Sequence, residues 1–132
     1  MNRLLDTDII IHFLRGHERV VHRMATLPHS SLAVPAIAVA ELYFGAFNSI
    51  DPARNCAVVD TLRRQVQIIP FDDEAAVLFG RLKARLRDEG ALIPDSALFI
   101  AATALVTGSV LVTANTTHFE RIEELRLEDW TR

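Results

Sequence analysis

Short apolar runs alternate along this chain with longer stretches in which apolar residues recur every three or four positions, the signature of buried strands separated by amphipathic helices. Met1 to Leu5 reads as a short buried strand, and Thr7 or Asp8 is placed to cap a first helix through Arg15, ended by Gly16. His17 to Leu27 fits a second helix, broken at Pro28, and Ser31 to Val34 a second strand. Pro35 suits the first turn of a helix from Ala36 to about Asn48. Asp51-Pro52 opens the next, with Val58, Val59 and Leu62 on one side. Val66 to Ile69 is a third strand closed by Pro70. Asp72 and Asp73 then cap a long helix to Glu89, carrying Ala75, Leu78, Phe79, Leu82 and Leu86 at helical spacing. After Pro94 and Asp95 an almost wholly apolar helix, Ala97 to Thr107, stops at Gly108. Val110 to Val112 is a fourth strand, Thr116 to Arg121 a short helix and Leu125 to Leu127 a possible fifth strand. Strands this short and apolar, alternating with helices, indicate an α/β fold: a mostly parallel sheet sandwiched between helices.

At 132 residues the chain is expected to form one domain, residues 1–132. Half the residues are hydrophobic and 23% are charged, the balance of a soluble globular protein. No apolar stretch approaches the ~20 residues of a membrane span. Asp6 and Asp8 interrupt the one apolar N-terminal segment, which argues against a signal peptide. A single cysteine, Cys56, excludes an internal disulfide and a cysteine-based zinc site, so a reducing cytoplasm is the expected location. The net charge of −3 disfavours tight, nonspecific nucleic-acid binding but leaves room for a local basic surface. Arg81 with Arg85 and Lys83 with Arg87, each pair spaced i to i+4, supply one candidate, with Arg63 and Arg64 nearby in sequence. A solvated helix face explains them equally well.

A few polar residues do not fit the bland pattern. Asp6 stands where the first strand gives way to a helix, at the carboxyl edge of the sheet where α/β proteins bind ligands. Its competing role is as a helix cap, and that is the role expected of Asp8 and Asp95. Glu41 interrupts the apolar run Ile37-Ala38-Val39-Ala40, where a carboxylate is costly unless paired or metal-bound. The alternative is that it lies on the solvent face. Thr113 and Asn115 follow the fourth strand directly, as an ordinary turn or as oxygens facing the same sheet edge as Asp6. Carboxylates gathered at one sheet edge suit Mg²⁺ or Mn²⁺, which take oxygen ligands and activate water for phosphodiester cleavage. The five histidines, His12, His17, His22, His29 and His118, show no metal-ligand spacing and read mostly as surface residues. There is no glycine-rich phosphate loop and no nucleophile elbow.

In order and spacing, several segments together resemble the PIN-domain family, and within it the VapC-type toxins of bacterial toxin–antitoxin pairs. The resemblance runs through Leu5-Asp6-Thr7-Asp8, Ala40-Glu41-Leu42-Tyr43-Phe44-Gly45-Ala46 and Ile69-Pro70-Phe71-Asp72. It continues through Leu98-Phe99-Ile100-Ala101-Ala102, Leu111-Val112-Thr113, Asn115 and His118-Phe119 to Leu125-Arg126-Leu127-Glu128-Asp129-Trp130. It implies a Mg²⁺- or Mn²⁺-dependent endoribonuclease acting on RNA, with Asp6 and Glu41 as metal ligands and Thr113 and Asn115 completing the site. It also implies a small VapB-type antitoxin partner, a homodimer or a toxin–antitoxin hetero-oligomer, and no membrane.

One position departs from the pattern. The family's third acidic residue stands just before the Leu-Phe-Ile-Ala-Ala segment, and Ala97 occupies that place. A methyl group supplies neither charge nor oxygen, so weak metal binding and severely reduced cleavage are expected. Asp95 is no substitute, because residues i and i+2 lie about 200° apart around a helix. Two origins compete for Ala97: a substitution made so that a toxic ribonuclease can be produced in living cells, and natural degeneration. The former is favoured. The rival functional readings are a catalytically dead antitoxin-binding or regulatory module and a nuclease of the same fold acting on other substrates, such as flapped DNA.

Overall fold

A computed structural model describes residues 2–132; Met1, the start of the expected first strand, lies outside the described residues. Five parallel strands form a single sheet: β1 (Arg3–Leu5), β2 (Leu32–Pro35), β3 (Gln67–Ile69), β4 (Val110–Val112) and β5 (Leu127–Glu128), in the order β3-β2-β1-β4-β5. The helices among the described residues are α1 (Thr7–Leu14), α2 (Glu18–Thr26), α3 (Ala36–Phe47), α4 (Pro52–Gln65), α5 (Asp73–Asp88), α6 (Asp95–Thr107) and α7 (Thr116–Phe119). The α/β reading and its strand–helix alternation are both present.

The period-2 alternation of the short strands divides the core. Leu4, Ala33 and Leu111 point to one face, where Leu82 and Leu86 of α5, Leu98, Ile100 and Ala101 of α6 and Phe119 of α7 cover them. Leu5, Leu32, Val34 and Val112 point to the other, beneath Ile9 and Ile10 of α1, Val20 of α2, Ala38 and Leu42 of α3 and Val59 and Leu62 of α4. With helices on both faces, the central strands β2 and β4 are apolar on both sides, which is why they read as runs rather than as alternating patterns.

Several boundaries differ from the sequence reading. Asp6, rather than Thr7 or Asp8, is the N-cap of α1, its carboxylate accepting from the Thr7 amide at 2.8 Å. His17 is not the first residue of α2 but its cap, accepting from the Val20 amide. Asp51 caps α4 as expected, while Val58 turns outward at 41% exposure beside buried Val59. Asp72 caps α5 and Asp73 lies within its first turn. α7 ends at Phe119, short of Arg121. The fifth strand is shifted to Leu127–Glu128, because Leu125 turns into the core before pairing begins. The α6 helix starts at Asp95, and its left-handed terminal Gly108 (φ 64°) closes it as expected.

The strand order sets the position of any site. From β1 the chain builds outward through β2 to β3, then returns past β1 to lay down β4 and β5 on the other side. The crevice at the carboxyl ends of β1 and β4 is therefore the topological switch point, the place where open α/β sheets bind ligands. Asp6 leaves β1 and Thr113 leaves β4 at that crevice, and the two turns are stitched together by the Asp6 amide donating to the Val112 carbonyl at 2.9 Å.

Candidate active site

At the switch point, residues from four segments close around a cavity of about 210 Å³ lined by Asp6, Thr7, Asp8, Glu41, Pro94, Ser96, Ala97, Ile100, Asn115, His118 and Phe119. Asp6 is 9% exposed and held from two sides: Oδ1 accepts from the Thr7 amide, and Oδ2 accepts from the Thr113 hydroxyl at 2.8 Å. Thr113, fully buried, also accepts from the Asn115 amide at 3.0 Å, so one hydroxyl links the acidic residue to the polar turn. Glu41 does not sit on the solvent face. α3 directs it toward the cavity, where Oε1 accepts from the Thr7 hydroxyl at 2.8 Å. Along α3 Ala38 and Ala46 are buried while Ala40, next to Glu41, is exposed.

Asp8 reaches into the same network. Its Oδ2 accepts from the Ala114 amide at 3.1 Å and from the Thr113 hydroxyl at 3.4 Å, while its Oδ1 is buried with no hydrogen-bond partner. Burial, followed by repulsion from Asp8, pushes the Asp6 carboxyl up to about 6 from its ordinary 3.8, and burial likewise pushes Asp8 up. Crowded carboxylates with raised pKa values, and a buried oxygen with no donor, are groups whose charge and lone pairs a bound cation would satisfy. The donor set fits a hard divalent ion that keeps several waters, with Asp6 and Glu41 as its anchors. Ala97 faces this cavity with no ligating atom, and among the described residues no three acidic, histidine or cysteine side chains close a complete cage.

Residues 3–125 match the family model described as the PIN domain. The chain belongs to the PIN-domain family. It is 35% identical over 127 residues, 96% of each chain, to "Ribonuclease VapC2" of Haemophilus influenzae, and 32% identical, again over 96% of each, to the "tRNA(fMet)-specific endonuclease VapC" of Salmonella typhimurium. Among solved structures it is similar to a chain of DNA-bound VapBC from Salmonella typhimurium, with TM-score 0.91, 33% identity and 98% of each chain covered. VapBC-1 from nontypeable Haemophilus influenzae superposes with TM-score 0.89 at 29% identity over the whole of both chains. Within the PIN-domain family the chain is a VapC-type ribonuclease toxin.

Seen as a PIN domain, the site brings together Asp6, Glu41, Thr113 and Asn115 as expected, with Ala97 in their midst. Asp8, read as a cap, is instead a wall of the cavity and a tie between α1 and the β4–α7 turn. Asp95 neither caps α6 through its side chain nor enters the cavity; it is an exposed partner of Lys83 at 3.0 Å. That pairing also takes Lys83 out of the expected basic stripe, and Arg85 is engaged by Glu124 at 2.9 Å. Arg63 belongs to α4 on the opposite face of the sheet from α5, where it lies over the Tyr43 ring. The cations read together in sequence thus do not form one surface. His118 was grouped with the surface histidines, yet it lines the cavity and meets Asn115 at 2.8 Å. The available signal was the i, i+3 spacing from Asn115, which stacks the two across one turn of α7.

Proposed function

We propose that this VapC-type chain is built to hydrolyse RNA phosphodiesters with Mg²⁺ or Mn²⁺ held by Asp6 and Glu41, and that Ala97 leaves it strongly impaired. The observation that carries this reading is the switch-point cavity, where Asp6, Asp8 and Glu41 converge with no lysine or arginine among the lining residues. A bound divalent ion would offset that negative charge, lower the pKa of a coordinated water and neutralise charge developing on phosphate. The protein's own part is positional. Thr113 fixes the Asp6 carboxylate, Thr7 fixes Glu41, and the side-chain amide of Asn115 on the cavity wall orients water or a phosphate oxygen. Such preorganisation keeps the acidic groups from having to rearrange when charge develops.

The partner is a small antitoxin of the kind that accompanies the VapC chains in the structures above. A groove beside the site, lined by Ile11, Leu14, Leu42, Ile50 and Val58 with Arg15 and Arg54 on its rim, shares Glu41 with the cavity. An amphipathic antitoxin segment with acidic flanks laid there would cover exposed Ile50 and block the approach to Glu41. One observation favours a second reading, in which the chain is a catalytically dead module that titrates antitoxin: Ala97 itself.

The deciding experiment compares this chain with Ala97→Asp on total RNA and on individual transfer RNAs, with Mn²⁺ and with EDTA. Cleavage by the variant that disappears with EDTA is the expected result. A variant that binds antitoxin but cuts no RNA under either condition refutes the nuclease reading and supports the binding module.

A further inference from the structure

The cavity wall is rich in acceptors and poor in donors. The Thr7 hydroxyl is committed to Glu41, the Thr113 hydroxyl to Asp6, and no cationic side chain reaches the lining. A phosphodiester entering this cavity needs hydrogen-bond donors to offset the carboxylates. Apart from Ser96, the free donors belong to a single unit on α7. The Thr117 hydroxyl donates to Asn115 Oδ1 at 3.2 Å, and on the other side of that amide Nδ2 faces His118 Nδ1 at 2.8 Å. An amide nitrogen can only donate, so Nδ1 accepts and the ring proton resides on Nε2. The Asn115 backbone amide, bonded to Thr113, anchors the unit to the floor of the site.

We propose that His118, held in the Nε2–H tautomer by the Thr117–Asn115 relay, is an RNA-binding residue that donates from Nε2 to a non-bridging oxygen of the phosphate seated against the carboxylates. The inference rests on the ribonuclease reading for its ligand, but the contact requires neither metal nor cleavage. Nε2 has no hydrogen-bond partner among the described residues, and the half-buried ring stands on the cavity wall beside Asn115. With the second amide hydrogen of Asn115, it forms a two-donor fork on a stretch of wall that carries no carboxylate.

The test uses the present chain with Ala97 in place, in EDTA, so that nothing is cut. Binding of a fluorescein-labelled, mixed-sequence single-stranded RNA is read by anisotropy for the parent, His118→Ala and His118→Gln, whose Nε2 reproduces the donor. His118→Ala is expected to weaken binding about tenfold, the scale of one hydrogen bond to a charged group, with His118→Gln recovering most of it. Long-range ¹H–¹⁵N spectra of the histidine rings are expected to show the proton of His118 on Nε2 and to shift that nitrogen when RNA is added. Unchanged affinity in His118→Ala, no recovery in His118→Gln, a proton on Nδ1, or no RNA binding by the parent would each overturn the proposal. None of these touches the ribonuclease reading, which is judged on metal-dependent cleavage by Ala97→Asp.

Discussion

Replacing Asp6 by asparagine is expected to stabilise the metal-free protein, the reverse of what loss of a buried hydrogen-bonded residue ordinarily does. Burial and the neighbouring Asp8 raise the Asp6 carboxyl from 3.8 to about 6, so the folded state holds a proton that the unfolded chain gives up. Stability from this group is fully present below the unfolded value and is lost as pH rises through the folded one. The displacement from 3.8 to about 6, at ~1.4 kcal/mol per pH unit, sets an advantage for Asp6→Asn of about 3 kcal/mol above pH 6 that vanishes toward acid. Asparagine keeps the cap, since its Oδ1 accepts from the Thr7 amide as the carboxylate does. Its Nδ2 donates to Thr113, whose hydroxyl is then free to turn to Asp8 Oδ2 at 3.4 Å. The assay is urea unfolding of both proteins in EDTA at a series of pH values spanning the two acidities. A stability difference that is flat with pH, or an asparagine variant less stable than the parent at neutral pH, would refute the argument that Asp6 is an electrostatically strained group awaiting a cation.

Other consequences are equally direct. Ala97→Asp is expected to raise Mn²⁺ affinity by at least about tenfold, read by isothermal titration calorimetry, because an added charged oxygen contributes on the order of a charge-assisted hydrogen bond or more. Thr113→Val removes the donor to Asp6 and orphans the Asn115 amide, so it is expected to cost about 2 kcal/mol in chemical denaturation and to raise the Asp6 pKa further. Leu86→Ala, at a fully buried position beneath α6, is expected to cost about 3 kcal/mol and lower the thermal midpoint without altering RNA contacts. By contrast Arg85→Ala, which loses its surface pair with Glu124, is expected to change stability by less than about 1 kcal/mol; a larger loss would mean that this pair tethers the chain around Glu124 to α5.

The layout of the fold was readable because each strand is a compact apolar run and each helix carries its own stop and start. Pro52 after Asp51, Asp72 before the Ala75–Leu86 stripe and Gly108 after α6 are local signals, and the structure honours them. The catalytic candidates Asp6, Glu41, Thr113 and Asn115 were legible for another reason: each is polar where the surrounding pattern demands an apolar or turn residue. Asp8 was not, since a carboxylate in the first turn of a helix is explained by the helix alone. Only the pairing of β1 with β4, a contact between residues more than a hundred apart, brings the Ala114 amide to Asp8 and reveals its second role. The basic stripe failed in the opposite way. Spacing along α5 is a local fact, but Asp95 and Glu124, which neutralise Lys83 and Arg85, arrive from elsewhere in the chain.

The order of strands also bears on how such a protein is made. β1 is the first strand to leave the ribosome and the central one in the sheet, yet its neighbour β4 is synthesised late; Thr113 meets Asp6 across 107 positions. A nascent chain that has reached α5 can pair β1 with β2 and β2 with β3, but it has neither the Thr113 hydroxyl nor the Asn115 turn. Its Asp6 borders an open sheet edge rather than a cavity. Long-range pairing of this kind closes slowly and last. The switch-point cavity is therefore absent for most of the chain's own translation and takes shape only when the final strands dock.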